Sequence, residues 1–285
     1  MRALTLIPAA LLAGTFLSGC DALAIYNYVQ VGGYQPTIAD IPYGAHPRQR
    51  LDIYLPVQQS RPAPLLVWFY GGSWASGDKS GYAFIARRFT AMGYAVAIHD
   101  YRLVPEVQFP AFVTDGALAL RHLRDFALRH PQDIDARSMV LAGHSAGAYN
   151  AVQLVADPAY LQQVGLRAND IEGIIGLSGP YDFYPYAVDA TREAFGDTPA
   201  SASQPVARDL SHMPPLLLLA GSADATVKPR NSMHLADAAP DARLLLVDGM
   251  DHIGTLLAIG QRLTTKQAVL EPIRDFLSAL QRPRR

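Results

Sequence analysis

From about residue 48 onward short apolar runs alternate with amphipathic stretches, and few folds accommodate such a series. Leu65 to Tyr70, Ala95 to His99, Met139 to Ala142, Ile171 to Leu177, Leu216 to Ala220 and Arg243 to Val247 have strand length and read as buried parallel strands. Leu51, Ile53 and Leu55 alternate with more polar residues and predict an earlier, half-buried strand. Between the runs lie helical patterns. Phe84, Ile85, Phe89 and Met92 share one face, Ala117, Leu120, Leu123 and Ala127 another, and Val269, Ile273, Phe276 and Leu280 form a closing helix. Such a βαβα series predicts an α/β domain with a mostly parallel central sheet flanked by helices. With 285 residues, half of them apolar, there is ample material for one large core.

Residues 48–285 are therefore read as one domain and residues 20–47, which lack clear periodicity, as a linker. The segment 184–213 breaks the rhythm. It is rich in Ala, Ser, Pro and Asp without a strand, and is a candidate cap over a pocket or a plain surface excursion.

The formal charge of −1, from 24 basic and 25 acidic residues, leaves no field that would attract nucleic acid, and none is expected as a partner. No Cys/His cluster or paired-carboxylate spacing suggests a metal or other cofactor.

At the N-terminus, Met1-Arg2 precedes an apolar stretch from Ala3 to Leu17 and then Ser18-Gly19-Cys20, the layout of a cleaved export signal spanning residues 1–19. The stretch is short for a bilayer and holds Pro8. Leu17-Ser18-Gly19-Cys20 resembles the lipobox of bacterial lipoproteins, and Cys20 is the only cysteine of the chain. That resemblance implies acylation of Cys20 and a lipid-anchored protein on the periplasmic side of the cell envelope; an ordinary signal with an incidental cysteine is the alternative. Asp21 resembles an inner-membrane retention signal.

Gly143-His144-Ser145-Ala146-Gly147 sits between an apolar run and a stretch able to form a helix. This is the context of a nucleophile elbow, in which a serine is held on a turn too sharp for neighbouring side chains. A serine hydroxyl needs a base, and the base an orienting acid. Downstream, the strand ending in Gly221-Ser222-Ala223-Asp224 and the next, running into Asp248-Gly249-Met250-Asp251-His252, place Asp224 and His252 on the same rim. His99 precedes the nucleophile and His144 should point away from it. Asp248 and Asp251 lie too close in sequence to His252 to orient it easily. Gly71 and Gly72, after the strand ending at Tyr70, with the N–H of Ala146, would form an oxyanion hole. Trp74 and Tyr181 are candidate substrate-pocket walls, with core or rim positions as the alternative.

Together these motifs resemble the esterase branch of the α/β-hydrolase superfamily, which includes hormone-sensitive-lipase-like carboxylesterases and arylformamidases. Tyr70-Gly71-Gly72-Ser73-Trp74 matches the branch's His-Gly-Gly-x-Trp motif except at Tyr70. Asp100-Tyr101-Arg102-Leu103, with Pro105, Phe109-Pro110 and Asp115, matches the segment after the next core strand. The resemblance implies an α/β-hydrolase fold and cleavage of small-molecule carboxylic esters through an acyl-enzyme on Ser145. Amide or formamide hydrolysis, or a silent membrane-tethered binding module, are the rivals. Asp100 and Arg102 are expected to brace the loops as a hydrogen-bonded pair.

Overall fold

The computed structural model describes residues 19–57, 62–260 and 267–281, with side chains from residue 23 onward. The expected leader lies almost wholly outside the described residues, as does the C-terminal Arg282–Arg285 run. In chain order the elements are α1 (Gly19–Val31), β1 (Ile38–Pro42), β2 (Arg50–Tyr54), β3 (Ala63–Phe69), α2 (Ala83–Thr90), β4 (Ala95–His99), α3 (Ala111–Arg129), β5 (Ile134–His144) and α4 (Ala146–Ala156). There follow α5 (Pro158–Gln163), β6 (Gly173–Leu177), α6 (Asp189–Phe195), α7 (Ala200–Ser203), β7 (Leu216–Gly221), α8 (Arg230–Ala238), β8 (Ala242–Val247), α9 (His252–Leu257) and α10 (Gln267–Leu280).

The strands form one eight-stranded sheet in the order β1-β2-β4-β3-β5-β6-β7-β8. β2 pairs antiparallel with both β1 and β4, and the remaining pairs are parallel. β4, β6 and β7 are buried at every position, as strands covered by helices on both faces must be. α4 is buried along its whole length, consistent with a sequence apolar on all sides. Because the central strands are parallel, all their C-terminal ends open on one edge, where loops from β3, β5, β6, β7 and β8 converge.

Two expectations need correction. β2 is not half-buried: Asp52 and Tyr54 are enclosed along with Leu51 and Ile53, since Tyr34 stacks on Tyr54 and Lys79 reaches Asp52 on the second face. Asp52 accepts a hydrogen bond from the Asp40 N–H at 2.7 Å and pairs with Lys79 Nζ at 3.1 Å.

Residues 20–47 are not a linker either, since they hold α1 and the edge strand β1. α1 packs on α2: Tyr26 stands edge-on to Phe84, Asn27 Oδ1 accepts from the Phe84 N–H, and the Tyr26 hydroxyl donates to the Leu257 carbonyl at 2.6 Å. Its apolar residues cover the helix all round, so no stripe of period 3.6 marks it. β1 buries little and so shows no alternation.

Candidate active site

The turn from β5 into α4 is held open by missing side chains. A Cβ on Gly143 would lie 2.7 Å from the Gly147 backbone, and one on Gly147 would lie 2.1 Å from the Phe69 carbonyl oxygen. Between them Ser145 adopts φ 54°, ψ −126°, a conformation that costs a non-glycine residue roughly 1–3 kcal/mol and persists only where packing dictates it. Its N–H donates to the Leu177 carbonyl at 2.9 Å. The hydroxyl thus stands at the C-terminal edge of the sheet, at the N-terminus of α4, where the helix presents its positive dipole end.

His252 is the first residue of α9, which Asp251 caps by accepting the Gly254 N–H at 2.8 Å. Its Nε2 lies 3.0 Å from Ser145 Oγ and its Nδ1 2.8 Å from Asp224 Oδ2. The other carboxylate oxygen, Oδ1, accepts the N–H groups of Thr226 and Val227 at 2.9 and 2.8 Å. Burial alone would raise the Asp224 pKa. The His252 hydrogen bond and the two backbone N–H groups outweigh it and hold the carboxyl below its ordinary value. An ionised Asp224 can only accept, so His252 carries its proton on Nδ1 and offers the Nε2 lone pair to the serine hydroxyl. The neighbouring acids are engaged elsewhere, Asp251 in its cap and Asp248 with the Ser222 hydroxyl at 3.1 Å.

Two residues at the site, Ser178 and Thr255, went unnoticed in the sequence, and a third, His144, was given no role there. The His252 carbonyl accepts two hydrogen bonds at 3.0 Å, from His144 Nε2 and from the Thr255 hydroxyl, and Thr255 lies 3.0 Å from the Ser178 hydroxyl. His144 does turn away from Ser145 Oγ, but onto the backbone of the base. Burial, reinforced by the neighbouring His252, pushes its pKa down to about 3, so it is the neutral Nε2–H donor this bond requires. No spacing rule links residues 144, 178 and 255. His99 is buried against Phe69, with its pKa pushed down by burial to about 4, and takes no part.

The loop after β3 lies against the elbow. A Cβ on Gly71 would sit 3.0 Å from Ser145 Cβ and push the loop off the nucleophile, and one on Gly72, at φ +133°, would lie 2.1 Å from the Ser76 carbonyl oxygen and break the turn itself. Tyr70, where the related motif has histidine, fixes this loop. Its hydroxyl donates to Asp100 Oδ1 at 2.9 Å and accepts from Arg48 at 2.8 Å, while its ring stacks on Tyr82 and Tyr101 and supports Gly77. Asp100 and Arg102 are not a pair, contrary to expectation. Asp100 serves Tyr70 and the Lys79 N–H, whereas Arg102 grips the buried Asp115 carboxylate at 2.8–3.1 Å. Both residues lie beyond the end of β4 at His99, where the strand pleat no longer sets residues i and i+2 on one face, and so they meet different partners.

A cavity of about 340 Å³ opens over Ser145. Ser73, Trp74 and Ala146 line it beside the nucleophile, and Tyr184, Val188 and Thr191, from the first residues of the 184–213 segment and the start of α6, line it as well. Trp74 donates its indole N–H to Asn150 Oδ1 at 2.9 Å, which fixes the ring. Gly71 and Gly72 do not line the cavity; the adjoining Ser73 does. Tyr181 does not line it either, which corrects the expectation of a pocket wall. Its ring is completely buried over Gly176 and Gly179, where any Cβ would strike the phenol oxygen, and only its backbone N–H faces the α8 residue Asn231. Glycines on β6 and after it make room for the tyrosine in the core.

The sequence model of the BD-FAE family matches residues 51–238. Among characterised proteins, a probable isoprenylcysteine alpha-carbonyl methylesterase from Oryza sativa subsp. japonica is 26% identical over 277 residues, covering 85% of this chain and 66% of its own. Kynurenine formamidase from Drosophila melanogaster is 30% identical over 146 residues, or 51% of this chain and 46% of the relative. The chain thus spans between about a third and two thirds of such relatives. Esterase B from Lactobacillus rhamnosis, in a structure inhibited by a tributyrin phosphonate, superposes with a TM-score of 0.75 at 20% identity, over 91% of this chain and 92% of that one. A putative thioesterase from Silicibacter sp. gives 0.72 at 24% identity, over 92% and 97%. The architecture is the α/β-hydrolase fold.

Proposed function

The chain belongs to the BD-FAE family, and from that premise we propose that it is a serine carboxylesterase with Ser145 as nucleophile, His252 as general base and Asp224 as orienting acid. The hydrogen-bonded series Asp224–His252–Ser145, at 2.8 and 3.0 Å beneath a cavity, carries this reading. Ser145 Oγ attacks the ester carbonyl carbon while Nε2 takes its proton, and Asp224 stabilises the resulting imidazolium. Negative charge gathers on the former carbonyl oxygen. The N–H groups of Gly71, Gly72 and Ala146 are assigned to hold it, aided by the α4 dipole. Collapse expels the alcohol, which takes the proton from His252 and leaves an acyl-serine. Water, activated by His252 in the same way, releases the acid.

The cavity volume suits a small-molecule ester, and the apolar wall of Tyr184 and Val188 suits a short acyl or alcohol group, with the 184–213 segment acting as a cap. Amide or formamide cleavage by the same groups is the second reading, favoured by the likeness to kynurenine formamidase. Turnover of short p-nitrophenyl esters against N-formyl aryl amides, with Ser145→Ala as control, tests both. Preference for the amide replaces the first reading with the second. A folded protein whose Ser145 ignores a fluorophosphonate probe would instead be a silent binding module.

The lipobox-like Leu17-Ser18-Gly19-Cys20 supports a further part of the proposal: the leader is removed and Cys20 acylated, anchoring the protein on the periplasmic side of the cell envelope. Incorporation of labelled palmitate that disappears in Cys20→Ala is the expected result. Absence of label in the unaltered chain refutes the anchor.

A further inference from the structure

α1 has two unlike faces. Towards the domain it is fixed by Tyr26, Asn27, Gln30 and Val31, the last two buried. Away from it, Ile25, Tyr28 and Val29 are 53%, 72% and 41% exposed, and Ala24 is exposed beside them. Spacings of three, one and four place these on one side of the helix. Asp21 is the only charged residue in the element, so from Ala22 to Val31 the outer face lacks the Lys, Arg or Glu that a water-facing helix ordinarily carries.

The position of this face in the chain indicates what covers it. α1 begins at Gly19, one residue before Cys20 and two after the apolar Ala3–Leu17 stretch ends. With a rise of about 1.5 Å per residue, Ile25 lies about 7.5 Å along the helix from Cys20, within the depth of a lipid headgroup layer. Tyr28 and Val29 follow at about 12 and 13.5 Å, so a chain tethered at Cys20 with no intervening linker brings all three to the membrane surface when α1 lies along it. Tyrosine is a side chain suited to that boundary.

We propose that the outer face of α1 is a membrane-docking surface whose partner is the lipid bilayer and whose anchoring residues are Ile25, Tyr28 and Val29. This rests on acylation of Cys20. The inner face of the same helix bonds the Leu257 carbonyl at the end of α9, the helix that opens with His252, so docking fixes the orientation of the active-site edge relative to the membrane.

The full-length chain in its native membrane tests the proposal. Cysteines are introduced singly at Ile25, at Tyr28 and, as a control, at the exposed Gln162 of α5, which packs on α3 and α4. Acylated Cys20 takes no thiol-reactive spin label, so unlabelled wild type, together with its mass, reports the tether. The expected result is that labels at 25 and 28 collide more with oxygen, which partitions into lipid, than with a water-soluble nickel chelate, and that the label at 162 does the reverse. If Cys20 is acylated but the labels at 25 and 28 meet the nickel chelate as readily as the one at 162, the docking face is refuted and the tether stands. Labels reached by neither reagent indicate cover by protein, from a second copy or from the chain itself, and also refute it. A labelled, unacylated Cys20 in a chain free of the membrane overturns both readings.

Discussion

Replacing Asp224 with asparagine exchanges one carboxylate oxygen for an NH₂ group, and the surroundings dictate which. Oδ1 accepts the N–H groups of Thr226 and Val227, so the asparagine oxygen must remain there, and the NH₂ group must face His252 Nδ1 where Oδ2 now lies 2.8 Å away. Nδ1 must then accept, which moves the imidazole proton to Nε2, 3.0 Å from Ser145 Oγ. The base is thereby held as a donor towards the hydroxyl it should deprotonate. Tautomer reversal of this kind lowers turnover by about 10⁴ in serine hydrolases with the same triad, or about 5 kcal/mol of transition-state stabilisation. Asp224→Ala frees the tautomer but strips the Thr226 and Val227 N–H groups of their acceptor, and should lose about as much. Initial rates on a short p-nitrophenyl ester, with thermal melting to establish that both variants fold, decide the matter. An asparagine variant that retains more than about a tenth of wild-type kcat/KM would refute the argument.

Gly147→Ala places a methyl group 2.1 Å from the Phe69 carbonyl and should cost more than about 3 kcal/mol, seen as a large fall in melting temperature or loss of soluble protein. Tyr184→Ala and Val188→Ala remove the apolar wall and should raise KM about three- to tenfold for butyrate but not acetate esters, with kcat unchanged. His99 and His144, held neutral with pKa values of about 4 and about 3, titrate near 6.5 once unfolded. Their contribution to stability is complete above pH 6.5 and is lost as the pH falls towards the folded values, about 2 kcal/mol each by pH 5. Asp100, raised to about 6 by burial and by Asp78, acts in the opposite sense and returns about 1 kcal/mol over the same interval. Urea midpoints should therefore fall between pH 7.5 and 5, and fall less in His144→Phe; equal falls in the two proteins would contradict this. The same variant loses one of two donors to the His252 carbonyl and should show kcat about tenfold lower at unchanged KM.

The sequence alone was enough to identify the parallel core, because strands buried on both faces must be short apolar runs and the helices between them must carry an apolar stripe. It also singled out the elbow, since only glycine tolerates the contacts at 143 and 147, and it ordered Ser145, Asp224 and His252 after the ends of β5, β7 and β8. α1 and β1 were missed because neither buries one regular face: α1 is apolar all round and β1 is an exposed edge. Which side chains meet was decided by the tertiary structure. Asp100 and Arg102 find separate partners, Tyr181 fills a space left by two glycines, and the His252 carbonyl is held by His144 from 108 residues away and by Thr255, itself met by Ser178. Local sequence carries periodicity and backbone permissiveness, which are properties of neighbours along the chain. Hydrogen-bond partners and burial depend on where distant strand ends come together, and that is settled only when the sheet is assembled.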